Sequence, residues 1–210
     1  MIHFSAAQIL NMEQRYRTTF VNSLSGYKSI NLVGTQNNEG LTNVAIFNSI
    51  MHIGAHPPLM GVLFRPDSVE RHTFENITDT KYFTINHVHE KFYRAAHQTS
   101  ARYPRKESEF DACGLTPLYQ ADFFAPFVKE SHLQIALSLV ESVRIAVNNT
   151  ILVVGALEHV FIDQNALNES GSIDLEVLGS VAGSGLDAYY SGKKLSRLRY
   201  AKPYEPLMDW

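Results

Sequence analysis

Cysteine, long apolar runs and strongly basic segments are all scarce in this sequence. Cys113 is the only cysteine, so the chain can form no intramolecular disulfide and offers no cysteine-based zinc site, and a reducing compartment fits best. The longest apolar run, from Pro57 to Phe64, is far too short to span a bilayer. The first ten residues, MIHFSAAQIL, contain neither a basic leader nor a long apolar core. We therefore predict a soluble, cytoplasmic protein with no membrane partner.

The charge balance excludes another class of partner. The formal net charge is -3, and no segment is dense enough in lysine and arginine to neutralise a phosphate backbone, which argues against nucleic-acid binding. The chain has 210 residues, of which 45% are hydrophobic. That length and composition are enough to bury a full core, and we predict a single domain over residues 1–210.

Alternating apolar residues and tight turns predict a mainly β protein. KSINLVGT and LTNVAIFNSI flank QNNEG, in which the two asparagines and Gly40 can supply the left-handed residues of a tight hairpin. Residues 133–147 carry apolar side chains at period two, NNT turns, and ILVVGALEHVFID returns as a second long strand. We expect these two strands to pair. Long strands with one apolar face favour a closed or partly closed barrel.

Helix and loop signals lie between the strands. Asp67 stands three residues before Glu70, a capping-box spacing that predicts a helix over DSVERHTFENITDT. HEKFYRAAHQTS predicts a second helix after the short strand KYFTIN. SARYPRKESEF is polar and interrupted by proline, which predicts a long surface loop of the kind that carries function. GSVAGSGLD has three glycines, but not in the order of a dinucleotide fingerprint, and predicts a flexible loop.

The segment from Gly40 to Pro66 is polar where a buried strand would be apolar. Its interrupting residues are Thr42, Asn43, Asn48 and Ser49. Their amides and hydroxyls can satisfy the carbonyls and ring nitrogens of a flat heterocycle. Near the predicted helix start stand Arg65, Arg71 and Thr73, where free N–H groups and the helix dipole favour an anion. Two interpretations follow: a site for a phosphorylated heterocycle, or polar residues that merely cap an edge strand beside solvated arginines.

Six segments, taken in order, resemble the flavin reductase-like family of FMN-binding split-barrel proteins. They are GLTNVAIFNSIMHIGAHPPLMGVLFRP, RHTFENI, YFTIN, SEFDACGLTP, FAPFVKES and LDAYY. The resemblance covers a core of about residues 25–200. It implies a six-stranded Greek-key split barrel with a few peripheral helices, which forms a homodimer and holds FMN near the subunit interface.

The resemblance assigns one group of residues to the FMN ring and another to its phosphate. The ring group is Asn43, Ala45, Asn48 and Ser49. The phosphate group is Arg65, Arg71 and Thr73. The full cofactor-binding set that it implies is Thr42, Asn43, Val44, Ala45, Asn48, Ser49, Ile50, Arg65, Arg71 and Thr73. Apart from the resemblance, Arg105 and Lys106 in the predicted surface loop can bind an anionic substrate or form a solvated charge run, and Tyr189 can stack on the flavin or its substrate or pack an interface.

Two positions depart from the family pattern. Many members carry a histidine in the hairpin before the strand ILVVG, where it meets the nicotinamide, but this chain has Asn148, Asn149 and Thr150. The usual acidic residue before Thr73 is replaced by His72. The second change places a neutral or positive group near the predicted phosphate.

The function implied is an FMN-dependent oxidoreductase of the flavin reductase type, which transfers hydride from NAD(P)H to flavin. FMN carries this chemistry itself, so no catalytic residue is assigned. The alternatives are a non-catalytic FMN-binding electron carrier or flavin-storage protein, and a split-barrel haem or pyridoxal-phosphate protein. No metal site is predicted, because the histidine pairs at positions 52 and 56 and at 87 and 89 lack a third ligand with suitable spacing.

Overall fold

The computed structural model describes the whole chain from Met1 to Trp210. The strands are β1 Lys28–Ser29, β2 Asn31–Gln36, β3 Thr42–Phe47, β4 Ile50–Ala55, β5 Pro58–Phe64, β6 Tyr82–His87, β7 Pro117–Leu118, β8 Phe127–Val128, β9 Leu133–Ile145, β10 Thr150–Ile162, β11 Val181–Ser184 and β12 Ala188–Ser191. The helices are α1 Ala6–Leu10, α2 Gln14–Ser23, α3 His72–Thr80, α4 Tyr93–Gln98 and α5 Glu109–Cys113, with a 3-10 turn at Gln164–Ala166. Strands hold 37% of the residues and helices 18%, which confirms the prediction of a mainly β protein.

Seven strands form one antiparallel sheet in the order β3-β2-β6-β9-β10-β5-β4. The two edge strands, β3 and β4, follow each other in the chain, and only Asn48 and Ser49 lie between them. A link of two residues cannot reach across an open seven-stranded sheet. The sheet must therefore curl until its edges meet, which makes it a split barrel. It has one strand more than the expected six, because β4 adds to β5 through a tight hairpin.

Both predicted hairpins are confirmed. β2 pairs with β3, and β9 pairs with β10 over almost their whole length. In the first turn only Gly40 takes a positive φ, of 86°, so the two asparagines do not supply the left-handed conformation that we expected of them. Asn37 instead accepts the backbone N–H groups of Glu39 and Leu41 through its side chain. In the second turn Asn149 is left-handed, with φ 57°.

Apolar side chains of the central strands fill the barrel. Val33, Phe83, Leu137 and Val153 are fully buried in one cluster. Gly155 on β10 makes room for the ring of Phe83, because a Cβ at position 155 would lie 2.7 Å from the ring carbon Cζ. A glycine in the middle of the strand therefore lets an aromatic ring occupy the centre of the barrel.

The apolar face of β9 is buried only in its first half. Leu133, Ile135 and Leu137 lie in the core, whereas Val143 and Ile145 on the second half are exposed. The period-two pattern therefore predicted the strand correctly, but beyond Ser138 β9 pairs with β10 alone, and the apolar side chains of its second half stay exposed.

The helix predicted to begin at Asp67 begins at His72. Its capping position is Arg71, whose side chain caps nothing. The Asp67 carboxylate cannot cap the helix, because both of its oxygens accept hydrogen bonds from the Arg144 guanidinium, at 2.9 and 2.8 Å. Residues 67–71 thus form an irregular loop that Arg144 ties to the β9–β10 hairpin.

The remaining helix and loop predictions hold in part. The second predicted helix is present as α4 but is shorter, at Tyr93–Gln98. The predicted loop after it is irregular as far as Ser108, and α5 then begins at Glu109. No helix of the structure has both the length and the apolar character needed to cross a membrane.

The predicted flexible loop around Gly183 is instead the β11–β12 hairpin. Gly183 lies in β11, at a position where a Cβ would come within 2.4 Å of the Ile30 side chain. Gly185 has a φ of 62° and makes the turn. These glycines therefore serve close packing and a tight turn, and they do not indicate mobility.

Candidate functional site

A cavity of about 750 Å³ lies beside the two-residue link between β3 and β4. Its walls come from the ends of β3 and β5, the start of α3, the end of α4 with the loop that follows it, and the β11–β12 hairpin. The predicted site residues that line it are Asn43, Ala45, Asn48, Ser49, Arg65, Arg71, Thr73 and Tyr189. The fold therefore brings most of the predicted groups to one place, although they are far apart in the sequence.

Strand β3 from Asn43 onward and the link that follows it form one wall of the cavity. We call residues 43–49 the polar shelf. Asn48 donates its side-chain N–H to the Gly185 carbonyl at 2.9 Å, and the Ser49 hydroxyl donates to the Leu63 carbonyl at 2.8 Å. These bonds tie the shelf to the β11–β12 hairpin and to β5. The interpretation that these residues merely cap a strand end is thus partly right, but their side chains also line the cavity.

Asn43 connects the shelf to helix α3. Its amide hydrogen-bonds the Thr73 hydroxyl at 2.9 Å. With the amide oxygen turned toward Thr73, the amide nitrogen donates to Glu109 Oε2 at 3.3 Å. All three side chains are nearly fully buried. Burial raises the pKa of Glu109, and this satisfied polar network fixes the start of α3 against β3.

Three arginines also line the cavity: Arg65, Arg71 and Arg102. None of them takes part in an ion pair with an acidic residue. Partial burial lowers the pKa of Arg71, and the nearby charges of Arg65 and Arg102 lower it further. A cluster of like charges without an acidic partner is stabilised when an anion binds between them.

The first turn of α3 adds a second source of positive potential. The first amides of a helix have no acceptor within the helix, and the helix dipole favours negative charge there. In α3 the backbone N–H of Arg71 is occupied, because it donates to Glu75 Oε1 at 3.0 Å. His72 and Thr73, in the first turn, line the cavity. The helix start and the three arginines therefore place positive charge and a positive helix dipole at the same part of the cavity lining.

The other predicted residues lie away from this cavity. Val44 is fully buried, and Ile50 packs against the core. The Thr42 hydroxyl lies 2.7 Å from that of Ser108, beside a separate small cleft. Arg105 pairs with Glu75 and borders the same cleft. Lys106 lines neither space.

Several lining residues were not predicted as site residues. Arg102 stands in the predicted surface loop, three positions before Arg105, and Glu109 begins the next helix. His97 on α4 lies with its Nδ1 atom 2.7 Å from the Tyr189 hydroxyl. Arg102 and Glu109 both lie in SARYPRKESEF, the polar loop that was expected to carry function, and Glu109 also lies in the segment SEFDACGLTP. His97 lies in the second predicted helix, where no local motif marks it as a site residue.

The cavity thus combines a polar shelf for a flat heterocycle with a cationic region for a phosphate. No group of three or more His, Cys, Asp or Glu side chains is arranged to hold a metal ion. The amide, hydroxyl and guanidinium groups that line the cavity suit an organic molecule that carries negative charge.

Comparison with known proteins also supports a flavin-related protein. Residues 27–190 match the flavin reductase like domain. A candidate flavin reductase with a split barrel domain from Shewanella frigidimarina NCIMB 400 is 54% identical, with a TM-score of 0.93 over 96% of this chain and 100% of that chain.

Two more distant structures share the fold. Nitrilotriacetate monooxygenase component B from Bacillus cereus is 20% identical, with a TM-score of 0.81 over 93% of this chain and 97% of its own. An FMN-binding protein from Thermus thermophilus is 17% identical, with a TM-score of 0.67 over 80% of this chain and 88% of its own. The predicted split-barrel fold is confirmed, and the chain belongs to the flavin reductase-like domain family.

Proposed function

We propose that this protein is an FMN-dependent oxidoreductase that transfers electrons from NADH or NADPH to flavin. One observation carries the proposal: three arginines without acidic partners and a helix start face the same cavity as a polar shelf. Membership of the flavin reductase-like family supports a flavin-related redox function. The FMN-binding relative from Thermus thermophilus supports FMN as the flavin.

Different residues would bind the two ends of the cofactor. Arg65, Arg71 and Arg102, with the first turn of α3, would hold the dianionic phosphate, because charge-assisted hydrogen bonds are the strongest that side chains make. The shelf would hold the ring through its amide and hydroxyl groups. A terminal phosphate uses this cationic region fully, whereas FAD would need room for its adenylate beyond the arginines.

The flavin, when bound, supplies the hydride chemistry. The contribution of this chain is then to bind the flavin, to orient it and to shield it from water. Asn43 fixes Thr73 at the helix start, and Asn48 ties the shelf to the hairpin that forms the facing wall. Neither task needs a protein acid or base.

Arg71→Ala removes one charge-assisted contact with the phosphate. Such a contact is worth roughly 1.5–3 kcal/mol, so we expect FMN affinity to fall at least about tenfold. Fluorescence titration of the apoprotein with FMN measures the change. Arg15→Ala, which alters an exposed arginine on α2 that does not line the cavity, is the matched control and should bind FMN normally. Equal affinities in the two variants would refute the phosphate assignment.

Anaerobic titration with NADH and with NADPH tests the donor. The FMN-loaded protein should lose its oxidised-flavin absorbance with at least one of them, at a stoichiometry of one nucleotide per flavin. A protein that holds FMN but is reduced by neither nucleotide is an electron carrier or a flavin store, and the proposed activity then fails while FMN binding stands.

We also propose that the protein acts as a homodimer. Val140, Val143 and Ile145 are exposed on the second half of β9, and Leu195 and Tyr200 in the C-terminal segment are almost fully exposed. Exposed apolar side chains in such numbers are typical of a surface that another subunit covers.

Sedimentation velocity at micromolar concentration tests the assembly. We expect a single species with twice the mass of the 23.6 kDa chain. A stable monomer that still contains FMN would show that the exposed side chains serve another purpose.

A further inference from the structure

Tyr189 and His97 form a hydrogen-bonded pair in the wall of the cavity. The Tyr189 hydroxyl lies 2.7 Å from Nδ1 of His97. Both side chains are partly buried, and both line the cavity. The proposed transfer of electrons from a nicotinamide to flavin does not use this pair.

The surrounding contacts hold the Tyr189 ring in place. It packs against the Tyr93 ring at a centroid distance of 5.2 Å and meets the His97 ring edge-on at 5.6 Å. The hairpin that carries Tyr189 is tied to the shelf, because Asn48 donates to the Gly185 carbonyl at the hairpin turn. The pair therefore has a fixed position beside the shelf on which the flavin ring is proposed to lie.

The chemistry of the pair is that of a proton donor. Burial raises the pKa of Tyr189, and the nearby Asp187 raises it further, so the phenol keeps its proton at neutral pH. When His97 donates its Nδ1–H to the phenol oxygen, the hydroxyl hydrogen is free to point into the cavity. A tyrosine held in this way can donate a hydrogen bond, and then a proton, to a bound molecule.

We propose that Tyr189 is the proton donor in a second activity of this cavity, the reduction of a small α,β-unsaturated carbonyl compound. The inference rests on the proposed function, because the hydride must come from a reduced flavin. An acceptor that takes single electrons needs no placed proton donor. A carbon acceptor does need one, because hydride addition to a carbon–carbon double bond leaves a negative charge to be protonated.

The step balances with the groups named. A hydride from the reduced flavin forms the new C–H bond at Cβ of the substrate, and the electron pair of the double bond moves toward the carbonyl oxygen. Tyr189 transfers its proton to Cα. The phenolate regains a proton from Nδ1 of His97 while Nε2 of the same ring takes one from water. The substrate gains one hydride and one proton, and NAD(P)H restores the reduced flavin.

Cyclopent-2-enone and ferricyanide are suitable electron acceptors for the test. The variant to test is Tyr189→Phe, and Tyr190→Phe is its matched control. Tyr190 follows Tyr189 on β12 but packs on Tyr27 and does not line the cavity. Each FMN-loaded protein is reduced anaerobically and mixed with either acceptor. The ratio of the enone rate to the ferricyanide rate should fall at least tenfold in Tyr189→Phe and stay within twofold of wild type in Tyr190→Phe. The wild-type enone reaction should be slower in D2O.

A binding measurement gives a readout that is independent of turnover. Cyclopent-2-enone is titrated into the oxidised holoprotein and followed by the change in flavin absorbance. Loss of the phenol hydrogen bond should weaken enone binding about fivefold in Tyr189→Phe, with no change in Tyr190→Phe.

Three results would overturn the inference: no reduction of the enone by the wild-type protein, an unchanged rate ratio in Tyr189→Phe, or an equal loss in both variants. If the wild-type protein holds FMN and is reduced by NAD(P)H but leaves the enone unchanged, only this inference fails. If it does not hold FMN, the proposed function fails as well.

Discussion

The position of the cavity depends on one geometric constraint. Asn48 and Ser49 join strands that lie at opposite edges of a seven-stranded sheet, so the sheet has to close on itself at this point. The two residues bridge the split, and the polar side chains needed for that irregular backbone line the cavity beside it. The side-chain hydrogen bonds of these two residues, from Asn48 to Gly185 and from Ser49 to Leu63, hold the walls of the site together.

We infer that charge determines which ligands this cavity binds. Arg65, Arg71 and Arg102 meet at the start of α3 without an acidic partner, an arrangement that costs free energy unless an anion is present. Two contacts hold these groups close together: the bond between Asn43 and Thr73 fixes α3 against β3, and Arg144 restrains the loop before the helix through Asp67. Like-charged residues kept together in this way are characteristic of binding sites, where stability is given up for function.

Local sequence signals predicted the elements that local residues determine. Gly40 marked the first hairpin turn, and period-two alternation marked the paired strands β9 and β10. The signals failed where a distant residue decides the outcome. The carboxylate of Asp67 bonds to Arg144 and not to the helix start, and Gly183 is required by a contact with Ile30 across two strands. The polar and basic groups of the site were recognisable by type. The place of His97 in the cavity wall follows only from tertiary packing, which no spacing in the sequence encodes.

We propose that this protein holds its flavin by the phosphate. The most direct test is parallel titration of the apoprotein with FMN and with riboflavin, which share the same ring system and differ by the phosphate. Several charge-assisted contacts of roughly 1.5–3 kcal/mol each predict that FMN binds at least about a hundredfold more tightly, with a difference that shrinks as salt is added. Equal affinities for the two flavins would contradict the account, because the arginine cluster would then have no part in binding.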